Sequence, residues 1–113
     1  MRFTDKIVLI TGGSKGIGRA TAIAFADEGA KVVITYKEDD VAADATLLLL
    51  NGGPHLKMKA DLTSAQQISD LVETVVRRFG RIDILVNNAG IFVQHNIQSD
   101  PFEKWQKDWE KYN

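Results

Sequence analysis

This chain predicts an α/β fold, a parallel sheet with flanking helices, from three observations. Short apolar runs, Ile7-Val8-Leu9-Ile10, Val32-Val33-Ile34 and the segment 82–86, alternate with segments whose apolar residues recur at helical spacing. Glycines stand at the junctions, with Gly29 and Gly80 where two of the helices should stop. Strands separated by intervening helices are joined most simply by parallel crossovers, because an antiparallel partner needs only a tight turn.

Residues 6–11 read as the first strand, followed by a glycine-rich turn and a helix over 16–28 with Ile17, Ala20, Ala24 and Phe25 on its apolar side. Residues 32–34 form the second strand. A helix over 40–50 is ended by Asn51-Gly52-Gly53-Pro54, and the third strand, 56–60, alternates Leu-Lys-Met-Lys as a more exposed edge would. Ser64 reads as the cap of a helix over 65–79 that carries Ile68, Leu71, Val72, Val75 and Val76. Gly80 stops that helix before a fourth, buried strand over 82–86. The stretch 100–113 reads as an amphipathic helix with Pro101 in its first turn and Phe102, Trp105, Trp109 and Tyr112 along it.

Composition narrows the function. The 113 residues suffice for one small domain, and a chain of this size buries about 60–68% of its unfolded surface. Fourteen basic and fifteen acidic residues are interspersed at a net charge of -1, so no basic stripe speaks for nucleic acid. Without cysteine there are no disulfides or thiolate metal sites, and His55 and His95 stand too far apart to suggest zinc. The amino terminus lacks an apolar core of signal-peptide length, and the longest aliphatic run, 47–50, is far too short to cross a bilayer. The expected location is the cytoplasm, with no membrane partner. His95 reads as a surface histidine.

The segment Thr11-Gly12-Gly13-Ser14-Lys15-Gly16-Ile17-Gly18 carries the chemistry. Gly12 can take backbone angles closed to other residues, a side chain on Gly16 would stand where an anion must approach, and Gly18 lets the helix pack closely on the strand. The helix start then offers unpaired amides and a positive dipole end, which suits the pyrophosphate of a dinucleotide. A phosphate loop is a poorer match, because Ser14-Lys15-Gly16 lacks the Gly-Lys-Ser/Thr order.

Together with Asp61-Leu62 after the third strand and Asn87-Asn88-Ala89-Gly90 after the fourth, this segment resembles the short-chain dehydrogenase/reductase family, of the 3-oxoacyl-carrier-protein reductase and glucose dehydrogenase type. The likeness runs from residue 6 to 90 and covers the first half of such an enzyme. It implies a Rossmann-type sheet, here about four strands of the family's larger one, with residues 1–113 as the dinucleotide-binding portion of a single domain. It also implies roles. Backbone groups around Gly12, Ser14, Lys15, Gly16, Ile17 and Gly18 would hold the pyrophosphate and adenosine ribose. Asp61 would accept from the adenine amino group, with Leu62 beside the ring. Asn88, Ala89 and Gly90 would line the ribose side while Asn87 ties neighbouring strands.

NAD-dependent members usually place a carboxylate just past the second strand, where this chain has Tyr36 and then Lys37. Lys37 and Lys15 could pair with a 2′-phosphate, so NADP is favoured over NAD, although Asp39 and Asp40 would partly neutralise them. The family's acid/base tyrosine with a lysine four residues on does not occur: Tyr36 is followed at that spacing by Asp40. The resemblance puts that pair and the catalytic serine beyond residue 113, so no catalytic residue is assigned. It implies a carbonyl or alcohol substrate and a homo-oligomer for the complete enzyme. The alternative is a non-catalytic nucleotide-binding or subunit-interaction protein.

Overall fold

The computed structural model describes residues 1–88. Ala89, Gly90, His95 and the aromatic stretch 100–113 lie outside the described residues. Within them the order is β1 (Ile7–Thr11), α1 (Gly16–Asp27), β2 (Lys31–Tyr36), α2 (Asp40–Leu49), β3 (Leu56–Lys59), α3 (Ala65–Phe79) and β4 (Ile84–Asn87). All pairings are parallel and the sheet runs β3-β2-β1-β4, so β3 is the edge its alternation suggested.

Right-handed crossovers explain the layers. The chain steps outward from β1 to β2 to β3, which puts α1 and α2 on one face; it then returns across the sheet to β4, which puts α3 on the other. Side-chain alternation feeds both faces. Val8, Ile10, Val32 and Ile34 join Ala22, Ala26 and Ala43 under α1 and α2, while Ile7, Leu9 and Val33 join Leu71 and Val75 under α3. Strands covered on both faces read as continuous apolar runs, and β1 is buried at every position.

Local signals hold where they are sharp. Ser64 caps α3 by accepting from the Gln67 amide, and Gly80 ends it in the left-handed region at φ 88°. At the opposite edge of the sheet, Asp83 accepts from the Ile7 amide at 2.8 Å while its own amide donates to the Ile7 carbonyl, pinning the start of β4 to β1.

Three expectations are corrected. The buried face of α1 is Gly18, Ala22 and Ala26, whereas Ile17 is 78% exposed and Ala20 and Ala24 face solvent. Small residues at a four-residue spacing let α1 lie close to the sheet; a face with Ile17 inward would hold it off. On α3, Leu71 and Val75 are buried but Val72 and Val76 are exposed. β4 is half-covered rather than buried: Ile84 and Val86 pack toward the α1 face, while Leu85, on the opposite face, is 60% exposed. Among the described residues, nothing lies over that part of the α3 face or beyond the outer edge of β4.

Candidate cofactor site

Because the strands are parallel, the turn after β1, the Tyr36-Lys37 step, Asp61 and Asn87-Asn88 all emerge at the carboxyl edge of the sheet. The direction of travel across the sheet reverses at β1, with β2 on one side and β4 on the other. Connections leaving such a switch point diverge to opposite faces and open a crevice, the usual ligand position in open α/β sheets.

The glycine turn at that crevice is held from three sides. From β2, the hydroxyl of buried Thr35 accepts from the Gly12 amide at 3.3 Å and its carbonyl from the Gly13 amide at 3.1 Å. From the end of β4, Asn88 Nδ2 donates to the Gly12 carbonyl at 3.1 Å and the Asn88 amide to Thr11 Oγ1 at 2.9 Å. Thr11 Oγ1 in turn donates to Asn87 Oδ1 at 3.0 Å, so Asn87 and Asn88 together knit β4 to β1. From α2, Thr46 Oγ1 lies 2.9 Å from the Ser14 carbonyl, which also receives Arg19 Nη2 at 2.8 Å.

Gly18 is required by space and Gly16 by conformation. A Cβ on Gly18 would stand 2.2 Å from the Gly12 carbonyl oxygen and 2.6 Å from Asn88 Nδ2, so only glycine lets α1, the turn and the end of β4 meet. Gly16 differs: at φ +59° it sits in the left-handed region, and a Cβ there would meet nothing within 4 Å. Among the described residues, open space therefore lies over Gly16, at the start of α1, as a bound phosphate would need.

That helix start is bare. Lys15 occupies the N-cap in extended conformation without a capping side-chain bond, and no acidic residue lies in the first turn of α1. The other two helices are capped, α2 by Asp39 accepting from the Ala42 amide and α3 by Ser64. Among the described residues nothing caps the first amides of α1, which with the positive end of its dipole can meet an anion.

The charged rim is mixed. Lys15 Nζ lies 3.6 Å from Asp39 Oδ2. The hydrogen bond from the Ala42 amide holds the Asp39 carboxyl below the usual range, with Lys15 adding to the effect. Lys37 is exposed, and its charge contributes to lowering the Asp61 pKa, whose main causes are the bonds from Thr63. Both Thr63 bonds fall on Asp61 Oδ1, from the amide at 3.0 Å and the hydroxyl at 2.7 Å. Two expected contact residues turn inward: Leu62 is buried in the core under α3, and Tyr36 is buried in the core under α1 and α2. The Tyr36 phenol is engaged by Asp40, and that hydrogen bond, with burial, raises its pKa. What Tyr36 offers the crevice is the lack of a carboxylate at its position.

Thr35, Arg19 and Thr46 hold the turn, yet sequence reasoning did not single them out. Thr11 and Thr35 carried a weak signal, as polar residues ending otherwise apolar strands; the Arg19 and Thr46 partnership joins distant segments and carried none. Among the described residues, no cluster of His, Asp or Glu could hold a metal ion, and no helix is long and apolar enough to cross a membrane.

This fold and crevice are those of a Rossmann-type α/β protein. A family model described as short chain dehydrogenase matches residues 6–111, and the chain belongs to that family. It is 41% identical over 105 residues to a 3-oxoacyl-[acyl-carrier-protein] reductase of Synechocystis sp., covering 91% of this chain and 42% of that protein. With glucose 1-dehydrogenase 2 of Bacillus subtilis it shares 36% over 110 residues, covering 96% of this chain and 42% of that one. Among solved structures, a short chain dehydrogenase from Burkholderia cenocepacia in complex with NADP superposes with a TM-score of 0.77 at 35% identity, covering 94% of this chain and 44% of the other. An NADH-dependent reductase complexed with NAD gives 0.73 at 34% identity, covering 94% and 45%. The chain thus spans less than half the length of these relatives.

Proposed function

We propose that residues 1–113 are the cofactor-binding portion of an NAD(P)-dependent oxidoreductase that moves hydride between a nicotinamide dinucleotide and a small-molecule carbonyl or alcohol, with NADP favoured. The observation that carries this reading is the uncapped start of α1 beside the open space over Gly16. When bound, the dinucleotide supplies the hydride chemistry. This chain's residues bind and orient it: the backbone amides at the start of α1, from Lys15 to Gly18, take the pyrophosphate, Asp61 accepts from the adenine amino group, and Asn88 with Ala89 and Gly90 lines the ribose side. Asp61 Oδ2 accepts from no other described residue and is available for that bond.

Preference for NADP rests on Tyr36 and Lys37, which leave a 2′-phosphate facing a cation where a carboxylate would repel it. One observation favours NAD instead: Asp39 already pairs with Lys15. Replacing Lys37→Asp and titrating NADPH and NADH decides between them. NADP recognition predicts that the NADPH-to-NADH affinity ratio falls about tenfold or more, as expected when an attractive charge becomes a repulsive one. An unchanged ratio overturns the assignment of Lys37 to the 2′-phosphate, and the parent chain's own ratio separates NADP from NAD. The sequence contains no tyrosine with a lysine four residues on, so proton transfer to substrate is assigned to residues outside this chain and the chain alone is proposed to be inactive. A homo-oligomer is proposed for the complete enzyme.

A further inference from the structure

We infer that Thr46 and Arg19 are positioning residues that aim the glycine turn and join it to the β2–α2 loop; the inference rests on the reading of that turn as the cofactor cradle. Thr46 lies on α2 and is fully buried, so its hydroxyl must find partners inside the protein. It accepts from Arg19 Nε at 2.9 Å and lies 2.9 Å from the Ser14 carbonyl and 3.2 Å from the Ala42 carbonyl. Arg19 Nη2 donates to the same two carbonyls, at 2.8 Å to Ser14 and 3.1 Å to Ala42. The Ser14 carbonyl therefore accepts from the Arg19 guanidinium, which reaches over from α1 to α2, and is within reach of the Thr46 hydroxyl on α2.

The consequence follows from peptide geometry. The Ser14 carbonyl and the Lys15 amide share one rigid trans plane and point in opposite directions. Drawing the carbonyl toward α2 fixes the Lys15 N–H away from α2, immediately before the open start of α1. Ala42 extends the link: its carbonyl belongs to the clamp and its amide donates to Asp39, the residue that pairs with Lys15. The turn and the loop carrying Lys37 and Asp39 are thereby held as one body, and an anion arriving at the turn finds its donors already oriented.

Two substitutions separate positioning from packing. Thr46→Val keeps the volume and loses the hydroxyl; Thr46→Ser keeps the hydroxyl and loses a methyl group. We expect Thr46→Val to weaken NADPH binding by about tenfold, the equivalent of one net hydrogen bond, with faster amide exchange over 13–17 and unchanged exchange in β1 and β2. Thr46→Ser should bind within about twofold of the parent chain despite its poorer packing. Parental affinity in Thr46→Val, or equal losses in both variants, would overturn the inference. If the parent itself binds no NADPH, the cofactor reading fails, while exchange over 13–17 still decides the clamp: no change in Thr46→Val overturns it. Arg19→Met, at a half-buried position, provides the same readouts should Thr46→Val not fold.

Discussion

Gly18→Ala probes the glycine with the least room for a side chain among the described residues. The added Cβ would stand 2.2 Å from the Gly12 carbonyl oxygen and 2.9 Å from its carbon, both backbone atoms that cannot swing aside. Reaching 3.0 Å from the oxygen requires α1 and the turn to separate by ~0.8 Å, an overpacking strain of about 1–3 kcal/mol. The same Cβ meets Asn88 Nδ2 at 2.6 Å, so the bond from Asn88 to Gly12 is lost at about 1 kcal/mol. Alanine's better helix propensity returns about 1 kcal/mol. The net loss is about 1–3 kcal/mol, which at roughly 4–8 °C per kcal/mol lowers Tm by about 5–20 °C. Urea denaturation with NADPH titration under native conditions measures both consequences, and NADPH affinity should fall because the turn and Asn88 are displaced together. A variant within about 0.5 kcal/mol of the parent, binding as the parent does, would refute the idea that this contact sets the geometry of the crevice.

The corrected helix face and the strand pinning at β4 are tested separately. Val75→Ala, at a fully buried position on α3, should cost about 2 kcal/mol in urea denaturation, whereas Val72→Ala on the exposed flank should cost less than about 1 kcal/mol; equal costs would return both residues to one face. Asp83 has its pKa lowered by the hydrogen bond from the Ile7 amide and by Arg81, so its stabilisation is present above the unfolded-state value and is lost as pH falls through the folded-state value. Urea midpoints of the parent and Asp83→Asn should therefore differ at neutral pH and converge as pH falls from about 3.9 through the lower folded-state value; a gap undiminished below that folded-state value would contradict the assignment.

The parts of this fold legible in the sequence are those specified by neighbouring residues. Ser64 and Gly80 bounded α3 because capping and left-handed termination are local events, and the apolar runs of β1 and β2 announced strands covered on both faces. The direction of a helix face was harder. Ile17, Ala20 and Ala24 drew attention as apolar residues, but close packing against the sheet selects the least bulky set, Gly18, Ala22 and Ala26. Exposure of Leu85, Val72 and Val76 depends on what covers a surface, a property no local pattern carries.

The site divides the same way. The glycine turn, Asp61 and the two asparagines come together at one edge of the sheet as the order of their motifs implied, because each follows a strand of the same parallel sheet. The side chains of Tyr36 and Leu62 turned out to serve the core, since alternation at a strand end decides which way a residue points. Thr35 and Thr46 reach the turn across gaps of more than twenty residues, and Arg19, though only five residues from Ser14, meets Thr46 and Ala42 across similar gaps, so only folding brings the set together.

The most direct test of the central claim is a fluorescence titration of the folded 113-residue chain with NADPH and, in parallel, NADH. The account predicts saturable one-to-one binding, tighter for NADPH and weakened by Gly18→Ala. A chain whose circular dichroism shows the native fold but which binds neither nucleotide would contradict it.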